Sequence, residues 1–221
     1  NIFCYFCFHF INSFMSKVQE ITHQVAELFR DFGIKSLTMD DISSALGISK
    51  KTLYKYVSDK NDLVNKVISS SIEQKETYLV DLIEKNNHPI DELVSIAKFS
   101  IIEISSLHPT VQFDLKKYHP KSWMLFEHHK QSFVFNCVVN NLKAGIKIKV
   151  YRENIDPLIL ARLHTEAIPM VFDSAVFPPA NHSFKNVFSE FMRHYIRGIA
   201  TNKGLEYLKE LTKTDTNNPF I

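Results

Sequence analysis

The sequence predicts an all-α protein, and three observations carry that expectation. Only five glycines occur in 221 residues. Runs that alternate strictly between apolar and polar residues are few. Apolar residues instead recur at spacings of three and four, the period of one helix face. Hydrophobic and charged fractions of 45% and 23% are ordinary for a globular chain, and the length allows one large domain or two small ones around a sizeable core. The formal net charge of +2 is too small to announce a nucleic-acid partner. An argument for one has to rest on local clustering.

Residues 1–14, NIFCYFCFHFINSF, are apolar and aromatic and hold Cys4 and Cys7. A secretory signal would want a basic start and small residues before a cleavage site, and the run is too short to cross a bilayer. We read it as an upstream extension outside the native fold, with a hydrophobic arm or membrane contact as the alternative. The Cys4-x-x-Cys7 pair lacks a second ligand pair at zinc-finger spacing. Cys137 then remains, expected as a small core residue of a reducing, cytoplasmic protein. From Ser16 to Phe32, Val18, Ile21, Val25, Leu28, Phe29 and Phe32 repeat at helical spacing, and Gly33 ends the helix.

The stretch Thr38 to Val57, TMDDISSALGISKKTLYKYV, reads as two short helices joined by a tight turn. Ile42, Ala45 and Leu46 give the first helix an apolar face, and Leu53 and Val57 do so for the second. Gly47 stands where the chain must turn, a position suited to positive φ, and Ile48 pins the turn between the helices. Thr38 can cap the first helix with Asp41 in the acidic position of a capping box, and Ser49 can cap the second. Such a helix-turn-helix places the start of its second helix in the DNA major groove. Lys50, Lys51, Lys55 and Lys60 supply local positive charge, opposed nearby by Asp59. Tyr54 and Tyr56 carry hydroxyls suited to phosphate oxygens, and Thr52 suits a base edge or a thymine methyl. Taken alone, a lysine run would indicate a solvated helix face. Combined with the glycine turn, the paired caps and the interleaved tyrosines, it points to a DNA-binding regulator.

Beyond this motif, Ser58 or Asp59 can cap a long helix to about Lys85, and Asp91 begins another to about Leu107. Pro109 and Pro120 punctuate the next connections, and an apolar helix is expected from about Lys121 to Ala144. GIKIKVYRENIDP (Gly145 to Pro157) reads as a connection. A helix from about Asp156 to Phe177 contains Pro169, which should kink it before Pro178-Pro179 closes it. Phe184, Val187, Phe188, Phe191, Met192, Tyr195, Ile196 and Ile199 then form a stripe wide enough to suggest burial against a partner as well as within the protomer. A short last helix carries Leu205, Tyr207, Leu208 and Leu211, and TDTNNPF is expected to fray. The expected organisation is an extension (1–14), a helix-turn-helix DNA-binding domain (15–60), a helical ligand-binding and dimerisation domain (61–213) and a tail (214–221).

With those elements placed, the chain resembles the TetR family of transcriptional regulators. The resemblance is strongest from about Lys17 to Ile68, through ELFRDFG (Glu27 to Gly33) and SLTMDDISSALGISKKTLYKYVSDKNDLV (Ser36 to Val64). Weaker features are GIKIKVYRENID and RGIATNKG (Arg197 to Gly204). The resemblance implies an all-helical homodimer joined by the two long helices near the C-terminus, a small-molecule cavity among the middle helices, and release of a near-palindromic operator when that cavity fills. Carried over by position, Lys50, Lys51, Thr52 and Tyr54 are base-reading candidates, and Thr38, Tyr54, Tyr56 and Lys60 phosphate-positioning ones. Asp40 stands where some members carry a basic residue. Phe184, Phe188, Phe191 and Tyr195 are the candidates for the dimer interface.

For a ligand, Phe99, Phe113, Trp123, Phe126, Phe133 and Met170 could line an apolar cavity, with Tyr118, His128 or Glu166 supplying polar contacts, although aromatics at helical spacing are more often simply core. His119, Glu127, His128 and His129 invite a metal reading, but there is no H-E-x-x-H and adjacent histidines point to different faces. No cofactor is implied. The rival classes are an enzyme and a helical adaptor that keeps the motif but binds protein. Against the enzyme, the chain has no G-x-S-x-G, P-loop or G-x-G-x-x-G. Against the adaptor, the four lysines are retained.

Overall fold

A computed structural model describes residues 16–214, apart from Pro109, Ser174 and Pro179, together with Phe220. The expected extension (1–14), the closing Pro179 and all of the expected tail but Thr214 and Phe220 lie outside the described residues. Among these residues the structure is helical: α1 (Lys17–Phe32), α2 (Met39–Ala45), α3 (Lys50–Leu53), α4 (Lys60–Lys85), α5 (Pro89–Ser105), α6 (Val111–Tyr118), α7 (Pro120–His129), a π-helical turn (Lys130–Val134), α8 (Phe135–Lys147), α9 (Pro157–Val171), α10 (Phe184–Ile199) and α11 (Asn202–Thr214). The one β pairing among them is an antiparallel bridge between Tyr151 and Ala200. No described helix is long and apolar enough to cross a membrane.

Two compact units divide the chain. One takes the residues up to Lys75 together with Leu107–Glu127, and the other takes Glu76–Ser106 and the residues from His128 onward. The first buries Ile21, Val25 and Phe29 of α1 with Ile34, Ile42, Leu53, Val57, Leu63, Val64 and Val67, and closes the cluster with Val111 and Leu115 of α6. The second is built on Ile90, Leu93, Val94, Val139, Leu142, Tyr151, Phe188, Met192 and Ile196.

Local chemistry accounts for the boundaries. Ser16 and Gln19 form a reciprocal capping box on α1, and Gly33 at φ 76° ends that helix. Asp156 accepts the amides of Leu158 and Ile159 at the start of α9, where Pro157 needs no partner. Tyr151 is wholly buried, and its hydroxyl donates toward the Asn141 side chain and the Pro89 carbonyl, at 3.1 and 3.2 Å.

Several boundaries differ from the sequence reading, each for a physical reason. The segment between Pro109 and Pro120 folds into α6, because Val111 and Leu115, four apart, find cover in the first core. The expected apolar helix runs from Pro120 to Lys147 but changes pitch through the π turn, which inserts a residue and re-aims the side chains beyond it. Gly145 therefore lies inside α8, and its missing Cβ makes room for the Tyr151 ring: a methyl there would sit 1.9 Å from Cδ2. Pro169 falls in the last turn of α9, which ends at Val171 instead of continuing kinked to Phe177. Phe220, expected in a frayed tail, is fully buried and packs edge-on to Phe188 at 6.3 Å, since an aromatic ring offered cover by a core takes it.

Candidate DNA-reading head and effector cavity

Capping, turn geometry and an ion pair set the head. Thr38 accepts the Asp41 amide while the Asp41 carboxylate accepts the amide and hydroxyl of Thr38, at 2.8 and 2.6 Å. These bonds hold the Asp41 carboxyl below the usual carboxylate range. Gly47 has φ 65°, and the Ile48 amide closes the turn onto the Ser43 carbonyl at 3.0 Å. Ser49 caps α3 by accepting the Thr52 amide at 3.0 Å, and the two hydroxyls lie 2.8 Å apart. Lys50 pairs with Asp40 at 2.9 Å across the turn. Lys51, Tyr54 and Lys55 stand exposed. Tyr56 is half-buried against the first core, and its carbonyl accepts from Lys66 at 2.9 Å.

Lys60 does something the sequence did not signal. Its ammonium is directed at backbone carbonyls, donating to Ile34 at 2.7 Å and to Leu37. Burial pushes its pKa down, with Asp114 and Asp41 pulling the other way. The same loop is held from its other side by Asp114 of α6, a buried carboxylate that accepts the amides of Ile34 and Lys35 at 3.2 and 2.9 Å and the Thr110 hydroxyl at 3.2 Å. Residues 34–37 are thus clamped by a carboxylate on their N–H groups and an ammonium on their C=O groups. The only sequence signal for this clamp was an Asp on the polar side of a short amphipathic run. Nearby, buried His119 makes a 2.7 Å contact from Nδ1 to Asn61 Oδ1, and burial lowers its pKa.

The second unit holds a narrow cavity of about 110 Å³ among α4, α5, the π turn, α8, α9 and α10. Leu93, Ile96, Phe133, Ile168, Phe188 and Met192 supply apolar wall, and Glu92, Asn141, His164 and Tyr195 supply polar groups. The Glu92 carboxyl is raised by burial, with the Asn141 amide opposing. Cys137 also lines the space, its thiol pushed by burial up to about 11. His164 is buried between Phe191 and Tyr195, with ring centroids at 5.2 and 4.3 Å; its Nδ1 has no hydrogen-bond partner among the described residues, and burial alone lowers its pKa to about 4.

The ligand candidates read from the sequence separate accordingly. Phe133 lines the cavity. Phe99 stacks on Tyr78 at 4.5 Å, Met170 is exposed, and Glu166 pairs with buried Lys130 at 3.2 Å and with Arg162 at 3.8 Å. Phe113, Tyr118, Trp123 and Phe126 belong to the first unit. There Trp123 packs against the core and lies 5.3 Å from Phe126, Lys117 lies over exposed Phe113, and Tyr118 receives a 3.0 Å hydrogen bond from Lys35 in a wide polar cleft with Asp59 and Asn61. Among the described residues no group of three His, Cys, Asp or Glu is placed to hold a metal.

The dimer candidates lie on the core side of α10. Phe188 is buried, and Phe184, Phe191 and Tyr195 pack against the same protomer's core. The face of α10 left outside carries Lys185, Glu190, His194 and Arg197. The exposed apolar stripe is on α9: Ile159, Leu163 and Met170, at i, i+4 and i+11, with Leu158 beside them. Position in the sequence could not show which side of each helix its own core would claim.

A capped two-helix unit with a positive-φ glycine turn, set in a chain whose described residues are helical, defines a helix-turn-helix. Residues 21–67 match the family model described as bacterial regulatory proteins, tetR family. The chain is 29% identical over 165 residues, 72% of its length and 84% of the relative's, to an uncharacterised HTH-type transcriptional regulator, YvaF, of Bacillus subtilis strain 168. Its fold matches a transcriptional regulator from Saccharomonospora viridis solved with choline (TM-score 0.70, 15% identity, 84% of this chain and 98% of that one). It also matches one from Cytophaga hutchinsonii (TM-score 0.69, 18% identity, 84% and 99%). These matches support a regulator of the TetR family, with the family segment lying over residues 21–67.

Proposed function

We propose that this regulator is a repressor that binds a near-palindromic operator as a homodimer and releases it when a small molecule occupies the second unit. One observation carries the DNA-reading half: Lys51, Tyr54 and Lys55 stand exposed on a short helix whose caps, turn and supporting loop are all fixed by hydrogen bonds. Pre-organised donors lose little entropy on meeting phosphate or base edges. Lys50, Lys51, Thr52 and Tyr54 face bases, Tyr54 and Lys55 reach phosphates, and Thr38, Ser49, Tyr56 and Lys60 act by holding the unit in shape. No catalytic residue is assigned, and the protein acts in the cytoplasm.

Residues 15–60 are the DNA-binding domain and 61–213 the ligand-binding and dimerisation domain, although Leu107–Glu127 packs within the first unit. The homodimer reading rests on the α9 stripe, since three exposed apolar side chains over three turns call for cover. A two-fold axis then matches half-sites about one helical turn apart. A small-molecule effector is supported by the cavity and by the choline held in the Saccharomonospora structural neighbour.

The test is selection of random duplex DNA by the purified chain, with Lys51→Ala/Tyr54→Ala as control. Enrichment of one inverted repeat by the wild type alone is expected, with affinity falling steeply as salt rises. A folded protein that enriches nothing at low salt refutes the reading.

A further inference from the structure

We propose that the cavity of the second unit is a site for a small aliphatic amine, bound as its ammonium form with Glu92 as counter-ion and His164 as a second hydrogen-bond acceptor. This rests on the reading that the second unit holds an effector and specifies the effector's chemistry.

Charge comes first. Among the described residues Glu92 is the only carboxylate lining the cavity, and no lysine or arginine lines it. A carboxylate or phosphate ligand would enter a low-dielectric space with no counter-charge and would repel Glu92. A hydrocarbon would leave Glu92 with only the Asn141 amide to oppose its burial. An ammonium group supplies what is missing, because it carries up to three N–H donors and the opposite charge.

The polar inventory then narrows the geometry. Asn141 is already committed: its amide nitrogen donates to the Pro89 carbonyl at 2.9 Å and its oxygen accepts from Tyr151 at 3.1 Å. His164 is not. It is 8% exposed, it lines the cavity, and its buried Nδ1 has no partner among the described residues. Buried polar atoms without partners are uncommon enough that each calls for a reason, and a ligand donor is the reason that also explains the empty space beside it. Burial keeps the imidazole neutral near pH 7, so one ring nitrogen is available to accept. An N–H donor for that nitrogen and for Glu92 is what an ammonium provides.

Size sets the rest. A dry cavity of ~150 Å³ admits benzene, so about 110 Å³ suits an aliphatic group of roughly four or five heavy atoms. Its methyl groups would lie among Leu93, Phe133, Ile168, Phe188 and Met192.

The experiment is a methyl-NMR titration of the full chain, following Met192, with isobutylamine, isobutanol and isovalerate as probes of nearly equal shape and different charge. The amine is expected to shift the Met192 methyl at the lowest concentration, with isobutanol weaker and isovalerate without effect. Glu92→Gln should reduce amine affinity about tenfold or more, the scale of one charge-assisted hydrogen bond, and reduce isobutanol binding much less. His164→Phe should weaken amine binding less. Isobutanol or isovalerate binding at least as tightly as the amine would overturn the amine assignment while leaving an effector site in place. A Met192 methyl that responds to none of the three would overturn both. Should Glu92→Gln fail to fold, the amine-to-alcohol ratio in the wild type still decides.

Discussion

The two units differ in the buried polar groups beside their candidate sites, although Arg30 Nε lacks a partner in the first and Asn141 and Tyr151 are paired in the second. In the first, Asp114 is 4% exposed and gathers two backbone amides and a hydroxyl, Lys60 fills two carbonyls, and His119 meets Asn61. In the second, His164 and Ser189 keep buried side-chain atoms with no partner among the described residues. Saturated polar groups make a loop over-determined and rigid, while unsatisfied ones store unfavourable free energy that a ligand can relieve. On the proposed function, a head that presents Lys51 and Tyr54 in one geometry is served by the first arrangement. On the same proposal, a site that responds to occupancy is served by the second.

Breaking the saturated side should have the largest effect. Asp114→Ala strands the amides of Ile34 and Lys35 and leaves Lys60 with Asp41 alone as an opposing charge. A loss of about 3–5 kcal/mol in unfolding free energy is expected, read by urea denaturation, with operator affinity lost in parallel. A variant within 1 kcal/mol of wild type (roughly the cost of an ordinary surface hydrogen bond) would mean the clamp does not hold the head.

Relieving the unsatisfied side should run the other way. His164 ionises near pH 4 when folded and near the ordinary histidine value of 6.5 when unfolded. The unfolded state therefore binds more protons between these values, so stability present above pH 6.5 is lost as pH falls toward 4, by about 3 kcal/mol in total. Glu92 lines the same cavity from α5 and Tyr195 from α10; the raised Glu92 pKa works in the opposite sense as it titrates, so the difference between wild type and His164→Phe is the informative quantity. His164→Phe should be at least as stable as wild type at pH 7 and gain on it steadily toward pH 4.5. Parallel stability curves for the two proteins over that range would show that His164 is not held neutral.

A smaller loss is expected at Gly145, where an added methyl would press into the Tyr151 ring at 1.9 Å. Gly145→Ala should cost about 1–3 kcal/mol as α8 or the ring shifts, and should displace the Tyr151 hydroxyl from Asn141. Thermal melting and the Tyr151 ring resonances report both; unchanged ring resonances would count against the packing described.

How much of this was legible depended on whether the signal was local. Thr38, Ser49, Gly33 and Gly47 act on residues three to five positions away, so their roles could be read from spacing, and the structure shows the caps and positive-φ turns expected. Asp114 acts across 79 and 80 residues on Lys35 and Ile34, and Lys60 across 26 and 23 on Ile34 and Leu37. No periodicity encodes such pairings. For the same reason, aromatic stripes told that Trp123 and Phe188 would be covered, but not by what. Which face of α9 or α10 turns inward is decided by the packing of the other helices, and that information is not in either helix.

The smallest stability effect is the most discriminating for function. Lys51 is exposed, and no ion pair or hydrogen bond holds its ammonium among the described residues, whereas Lys60 is tied to the 34–37 loop. Lys51→Ala should therefore stay within about 0.5 kcal/mol of wild type in stability yet lose about 1–3 kcal/mol of operator binding and relax preference at one position of each half-site. Lys60→Ala should instead weaken the fold and all DNA sequences together, because it acts through the shape of the head. Comparing the two variants on operator and scrambled duplexes at matched salt separates a residue that reads DNA from one that holds the reader still. If Lys51→Ala loses affinity for both duplexes equally, it contacts phosphate and not base. If Lys60→Ala alters sequence preference while leaving stability intact, the lysine leaves its carbonyls to meet DNA, and the clamp would then be a resting position and not a permanent brace.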